Sequence, residues 1–439
     1  MKNKRRLTEF LKYVSLNIAG MIGLSCYILA DTFFVSKGLG TSGLAALNLA
    51  IPIYNFIHGT GLMLGMGAAT KYSIYRGKGD NAAADKTFTN ILYTAALFSA
   101  VFVAAGLIFS KNITSMLGAD TEVFAMTNTY LKVILLFAPA FMMNDILICF
   151  VRNDGNPQLS MAAMLTGSLS NIILDYIFIF PCQMGIFGAV FATGLAPVIS
   201  IMVLSLHFLR HNNKFGFKKT PVNIKETLSS LSLGFPSLIT EFSSGIVIIV
   251  FNAIILKIMG NTGVAAYGII ANISLVAIAI YTGIAQGVQP LISREYGNNN
   301  MSNAKYLLNY ALCAVVILSA AIYSAVFFGA DPIASIFNSE GNALLQSTAV
   351  YGMKLYFIGC VFAGFNIIVS AFFTSTETPV PAHVISCMRG WLVIIPLAFA
   401  MSAMLGITGV WLAFPSTELI CTAVGAVILI KIYKKTQSH

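Results

Sequence analysis

The chain has 439 residues, 57% hydrophobic and only 10% charged, with a formal net charge of +10. A soluble protein of this length carries about 25% charged residues, so a water-soluble enzyme or binding domain is excluded. The basic residues sit in alternate loops between apolar runs rather than in one patch, which also excludes a nucleic-acid partner.

The apolar runs are about 20–30 residues long, as tilted membrane-spanning helices require. Barrel strands would be shorter and alternating. The fold class expected is therefore an all-α polytopic membrane protein. Met1-Lys-Asn-Lys-Arg-Arg6 resembles the basic part of a signal peptide. The apolar stretch behind it is too long and lacks a small-residue cleavage site, so it reads as a retained first helix. Twelve apolar segments follow in order: 10–36, 44–74, 88–110, 127–151, 160–181, 186–209, 228–258, 264–292, 306–329, 348–373, 382–404 and 407–431.

Lys and Arg assign the sides. One side holds Lys2, Lys4, Arg5, Arg6, Lys12, Lys71, Arg76, Lys78, Lys86, Arg152, Arg210, Lys214, Lys218, Lys219, Lys225, Arg294, Lys305, Lys431, Lys434 and Lys435. The other holds only Lys37, Lys111, Lys132, Lys257 and Lys354, with Arg389 left inside a helix. The rich side is cytoplasmic, so both termini are expected there. The polar stretch from Arg210 to Glu226 reads as a cytoplasmic linker. The domains expected are a six-helix lobe at 1–209, a linker at 210–227 and a second six-helix lobe at 228–439.

The halves repeat. A shift of 220 residues pairs Lys37 with Lys257, Gly40 with Gly260, Gly43 with Gly263, Gly67 with Gly287 and Gly77 with Gly297. A shift of 221 pairs Gly185-Ile-Phe-Gly188 with Gly406-Ile-Thr-Gly409, and a shift of 222 pairs Asn144 with Asn366 and Pro157 with Pro379. A six-helix unit starts and ends on one side, so the two lobes share one orientation. They are expected to be related by a pseudo-two-fold axis along the membrane normal.

The repeat fails at the acids. Asp31 aligns with Phe251, Asn171 with Leu392, Asp175 with Pro396, and Glu241 with Met21. A carboxylate at membrane depth costs roughly 2.5–3.5 kcal/mol, so it is seldom there without a use. Asn171 and Asp175 share one face of the fifth helix. By helical rise, Asp31, Asp175 and Thr193 sit at one level, roughly 10 Å below the outer surface, with Asn171 one turn deeper. These four are the expected cation-coupling site. Sodium and proton both suit such an oxygen set, and no other cofactor is implied.

Glu241, near the middle of the seventh helix, is expected to bind a cationic substrate or a proton. Tyr27, Tyr54, Phe141, Tyr267 and Tyr281 are candidates for stacking on flat cations. Asp145 and Arg152 are expected to form a structural ion pair, and Arg389 and Glu418 another. The seven cysteines are scattered singly with no C-x-x-C spacing, so neither a zinc site nor a redox motif is implied.

The chain resembles the multidrug and toxic compound extrusion (MATE) family over nearly its whole length. The resemblance rests on Ala30-Asp31-Thr32, Arg152-Asn-Asp-Gly155-Asn-Pro157, Asn171-x-x-x-Asp175, Gly185-Ile-Phe-Gly188-Ala and Glu241. It implies a twelve-helix, two-lobed antiporter exporting amphipathic, often cationic, drug-like compounds against inward Na+ or H+. It places cation coupling on Asp31, Asn171, Asp175 and Thr193, as in the bacterial branch with Asp in helix 5. It gives Glu241 a coupling or drug-binding role, as in the branch with a helix 7 glutamate, although the aspartate that branch usually adds in helix 10 is absent here, where helix 10 has Asn366 and no acid.

The function expected is thus secondary active efflux by alternating access, by a monomer in the bilayer. The alternative is a lipid-linked oligosaccharide flippase of the same superfamily. Acids outnumber buried bases here, which disfavours its anionic substrate. An intramembrane enzyme would need a clustered His, Ser or metal set within the spans, and the sequence shows none.

Overall fold

The computed structural model describes residues 2–338 and 341–437, with side chains described for 4–338 and 341–432. Lys2, Lys434 and Lys435, counted above on the basic side, lie outside the described side chains. Every regular element among the described residues is helical.

Nine helices among the described residues are long and apolar enough to cross a membrane. Two of them are double. Lys2–Gly77 breaks at Gly40 (φ 69°, ψ −158°) and Ile224–Gly297 breaks at Gly260 (φ 64°, ψ −156°). This region of backbone space is open essentially to glycine alone. The glycine pair that marks the sequence repeat is therefore the pair of breaks that divides each long run into two spans. We label them α1 (2–39), α2 (41–77), α7 (224–259) and α8 (261–297).

The remaining spans are α3 (Asn81–Ile108), α5 (Pro157–Ile179), α6 (Gly185–Leu209), α9 (Met301–Phe337), α10 (Ala343–Ser375), α11 (Pro379–Leu405) and α12 (Ile407–Ile432). The span α4 consists of Phe124–Leu136 and Ala138–Asn153, which meet at 48°. Pro139, in the first turn of the second piece, has no N–H to continue the ladder, which explains the bend. Twelve spans result, matching the twelve apolar segments, although helices such as α3 and α9 extend beyond the apolar runs.

The chain packs into two compact units. One holds Ser15–Phe242 with Ser293–Met301; the other holds the residues up to Val14, Ser243–Ile292 and everything from Ser302. The first turns of α7 belong to the first unit because glycines let two backbones meet. A Cβ on Gly67 would strike the Ser230 carbonyl, and one on Gly234 would strike that of Met63. The repeat partner of Gly67 does the same in the other unit, where a Cβ on Gly287 would lie 2.8 Å from Val14 Cα. Gly77 and Gly297, also repeat partners, face each other at the ends of α2 and α8. A Cβ on Gly77 would fall 3.1 Å from Gly297 Cα.

The stretch between α6 and α7 is strapped onto the first unit. Phe215 is 1% exposed. Its ring centroid lies 4.7 Å from Phe88, 5.3 Å from Phe150 and 5.8 Å from Tyr72. Asp154, from the Arg152–Pro157 motif, is the polar hub. Its Oδ1 accepts from the Tyr72 hydroxyl at 2.6 Å and its Oδ2 from the Lys214 backbone N–H at 2.8 Å. His207 Nε2 stands 2.9 Å from the same Oδ2. Farther along, Lys218 donates its backbone N–H to Thr89 Oγ1 at 2.9 Å, and its ammonium meets Asp85.

Hydrogen bonds to a charged group contribute about 1.5–3 kcal/mol each. Asp154→Ala should therefore speed tryptic cleavage at Lys214, Lys218 and Lys219 by roughly 10–100-fold, since the segment opens more often. An unchanged cleavage rate would show that Asp154 does not hold it.

Candidate functional site

Small residues set the geometry of the first unit's acids. A Cβ on Gly20 would meet Met164 Sδ at 2.9 Å and one on Gly23 would meet Leu165 Cδ2 at 2.6 Å, so α1 lies close against α5. A Cβ on Gly38 would strike Ile179, which holds the two helices together at their other ends. Asp31 on α1 and Asp175 on α5 are thereby brought side by side, close enough to act on each other's charge. Both are buried, at 7% and 0% exposure. Oδ1 of each is sealed from solvent without a hydrogen-bond partner.

Asn171 and Thr193 complete this group. Asn171 is fully buried one helical turn before Asp175. The surrounding donors and acceptors orient its carboxamide. The nitrogen donates to Asp175 Oδ2 at 3.0 Å, and the oxygen accepts from the Thr193 backbone N–H at 3.2 Å. Thr193 Oγ1 donates to the Ala189 carbonyl at 3.1 Å, which leaves its lone pairs free to accept. Asp31, Asp175 and Thr193, placed at one depth by their positions in sequence, and Asn171, one turn deeper, are neighbours in the structure.

Aromatic hydroxyls border the group. Tyr27, one turn before Asp31, shares a 2.5 Å hydroxyl contact with Tyr54 on α2. The Tyr54 ring meets Phe141 edge-on at 5.6 Å. Tyr130 on α4, buried at 3% exposure, places its phenol toward Thr193 beside Asp31 and Asp175. Sequence reasoning missed Tyr130. It is one of 17 tyrosines, and nothing in its local sequence sets it apart from the others.

Asp145 corrects an expectation. It does not pair with Arg152, because seven residues along a helix separate them by about 10.5 Å. His58 Nδ1, on α2, instead stands 3.1 Å from Asp145 Oδ2. Arg152 is fully buried and donates Nη1 to Asn17 Oδ1 at 2.8 Å. Its Nη2 faces the sulfurs of Met66 and Cys149. Glu241 sits beside this pair rather than in the Asp31 group. Gly59 approaches Glu241 so closely that a Cβ would lie 3.0 Å from the glutamate's own. Glu241 feels the charges of His58 and Asp145.

In the other unit Arg389 and Glu418 pair as expected. Arg389 Nε donates to Glu418 Oε1 at 2.9 Å and Oε2 at 2.8 Å. Asn366 Nδ2 adds a bond to Oε2 at 2.7 Å. Arg389 lies in a π-helical turn, Met388–Leu392, which re-aims its side chain. Tyr267 and Tyr281 belong to this unit too, and both are buried. Tyr267 stacks on Phe251 at 5.4 Å, and the Tyr281 hydroxyl meets Ser319 Oγ at 2.8 Å. These contacts hold both rings in place within this unit.

The chain is similar to known proteins over most of its length. The MatE family model matches residues 18–177 and 236–400. The multidrug export protein MepA of Staphylococcus saprophyticus is 26% identical over 406 residues, covering 92% of this chain and 89% of that protein. MepA of Staphylococcus aureus strain MRSA252 is 26% identical over 407 residues, with the same coverage. A crystal structure of MATE in complex with MaL6 shares the fold at TM-score 0.91 and 23% identity, over 97% of each chain. A transporter of the MOP superfamily from Pyrococcus furiosus, described as having a binding pocket of reversed polarity, shares it at TM-score 0.88 and 23% identity. That likeness covers 95% of this chain and 93% of the other.

Proposed function

Because this chain belongs to the MatE family, we propose that it is a multidrug exporter that expels amphipathic cations in exchange for inward H+ or Na+. The observation that carries the antiport reading is the Asp31–Asp175 pair. Two adjacent carboxyls in a dry helical interior cannot both stay charged without a cation between them. A proton or a sodium ion would satisfy them, with Asn171, Thr193 and the Tyr27 and Tyr130 hydroxyls as further oxygens or orienting groups. The relatives named as multidrug export proteins support the substrate class. Family membership supports a transporter rather than an enzyme.

The exchange follows from charge. A cation bound from outside neutralises Asp31 and Asp175 and removes the attraction for a cationic drug. The drug leaves outward, the protein rearranges by alternating access, and the cation leaves to the cytoplasm. Each ligand lowers the affinity for the other, and that reciprocity is the coupling. The chain works as a monomer in the bacterial cytoplasmic membrane with both termini inside, as the distribution of Lys and Arg supports.

The test is ethidium efflux from proteoliposomes with the sodium and proton gradients imposed separately. Uphill efflux driven by either gradient is the expected result and names the ion. No gradient-driven efflux, with lipid-linked sugar crossing instead, would replace this reading by the flippase.

A further inference from the structure

A second ionisable cluster lies in the same unit and takes no part in the scheme above. It consists of His58 on α2, Asp145 on α4 and Glu241 on α7. The His58 imidazole and the Asp145 carboxylate are 3.1 Å apart, with side chains 14% and 4% exposed. A Cβ on Gly61 would collide with the Asp145 carboxylate, so glycine at that position admits the acid against α2. The groups facing His58 are Asp145, Glu241 and the stacked ring of Tyr54, whose plane lies 8° from the imidazole's at 6.0 Å. The Tyr54 hydroxyl in turn contacts Tyr27, one turn from Asp31. The two clusters are therefore joined by a chain of contacts.

We propose that His58 and Asp145 form a second exchangeable-proton site, which gives up its proton when a cationic substrate binds beside Asp145 and Glu241. Imidazole is the one side chain that ordinarily changes charge near neutral pH. Protonated, His58 balances Asp145 and leaves Glu241 as the cluster's one remaining carboxyl. Deprotonated, it leaves two carboxyls facing one place. Charge balances: one organic cation arrives, and one proton leaves His58 Nδ1 for water. The inference rests on the reading of this chain as an exporter of cations, and deepens it by naming a residue that sets which charge state accepts them.

The experiment uses the full-length protein in detergent, weakly buffered, with a pH-sensitive dye. Tetraphenylphosphonium is the probe, and protons released per probe bound are counted across a range of pH. His58→Gln keeps a donor toward Asp145 but cannot carry the proton. It should release about one proton fewer per bound probe, and its binding should persist to lower pH. Asp145→Asn should lose the same proton, which keeps the test valid if the glutamine variant does not fold. Equal proton counts and pH profiles in wild type and variants would overturn the proposal, as would a wild type that binds the probe and releases no proton. This readout needs no membrane gradient. Failure of the antiport reading would appear separately, as ion gradients that do not drive efflux from vesicles.

Discussion

Asp175→Asn should abolish gradient-driven ethidium efflux while leaving the fold intact. Asparagine has nearly the shape of aspartate, and the position is fully buried, so packing against Asn171 and α1 is retained. What disappears is the charge. The variant holds one carboxyl where the wild type holds two, and the pair no longer requires a cation to balance it. Without that requirement the ion gradient no longer drives the drug, so efflux against a concentration gradient should fall to the level of empty vesicles. Thermal stability should stay equal or rise, since removing one of two facing buried carboxyls relieves a cost. Melting in detergent and efflux from vesicles, measured on one preparation, separate these effects. Loss of both together would mean that Asp175 is structural. Asp31→Asn is held to the same standard, because its carboxyl is the other half of the pair.

Arg389→Ala should have the largest effect on stability. It strips Glu418 of two charge-assisted bonds and leaves the carboxylate buried at 3% exposure. Breaking such a pair from one side costs about 3–5 kcal/mol. Asn366, with its bond to Oε2, compensates in small part only. Replacing both partners with apolar residues, as in Arg389→Met with Glu418→Leu, should recover most of the loss, because no charge is then left unpaired. The comparison is made by melting temperature and by yield of monodisperse protein. A single variant as stable as wild type would show that the pair is not part of what holds this unit together.

How much of this was legible in the sequence varies with how local each signal is. Gly40 and Gly260 were visible as a repeat pair, and their positive φ values explain why both copies keep glycine. The bend in α4 follows from Pro139. Asp31, Asn171, Asp175 and Thr193 were predictable as neighbours because helical rise and sidedness fix depth, and few polar residues compete at that depth. The pairing of His58 with Asp145 was not predictable, since it depends on the register between α2 and α4. Arg152 was the nearer cation in sequence, but a two-turn separation on one helix put it out of reach. Tyr130 was hidden for a similar reason: its contact with the Thr193 environment is made across helices. The 210–227 stretch looked like a plain linker by composition. Phe215, the one aromatic flanked by Lys214 and Gly216, was the signal that it docks.

Exchange runs in both directions. Proteoliposomes loaded with ethidium and given no ion gradient should therefore drive H+ or Na+ inward as ethidium leaves. That ion movement should vanish when Asp175 is replaced by Asn. Ethidium leaving wild-type vesicles with no counter-movement of either ion would contradict the account.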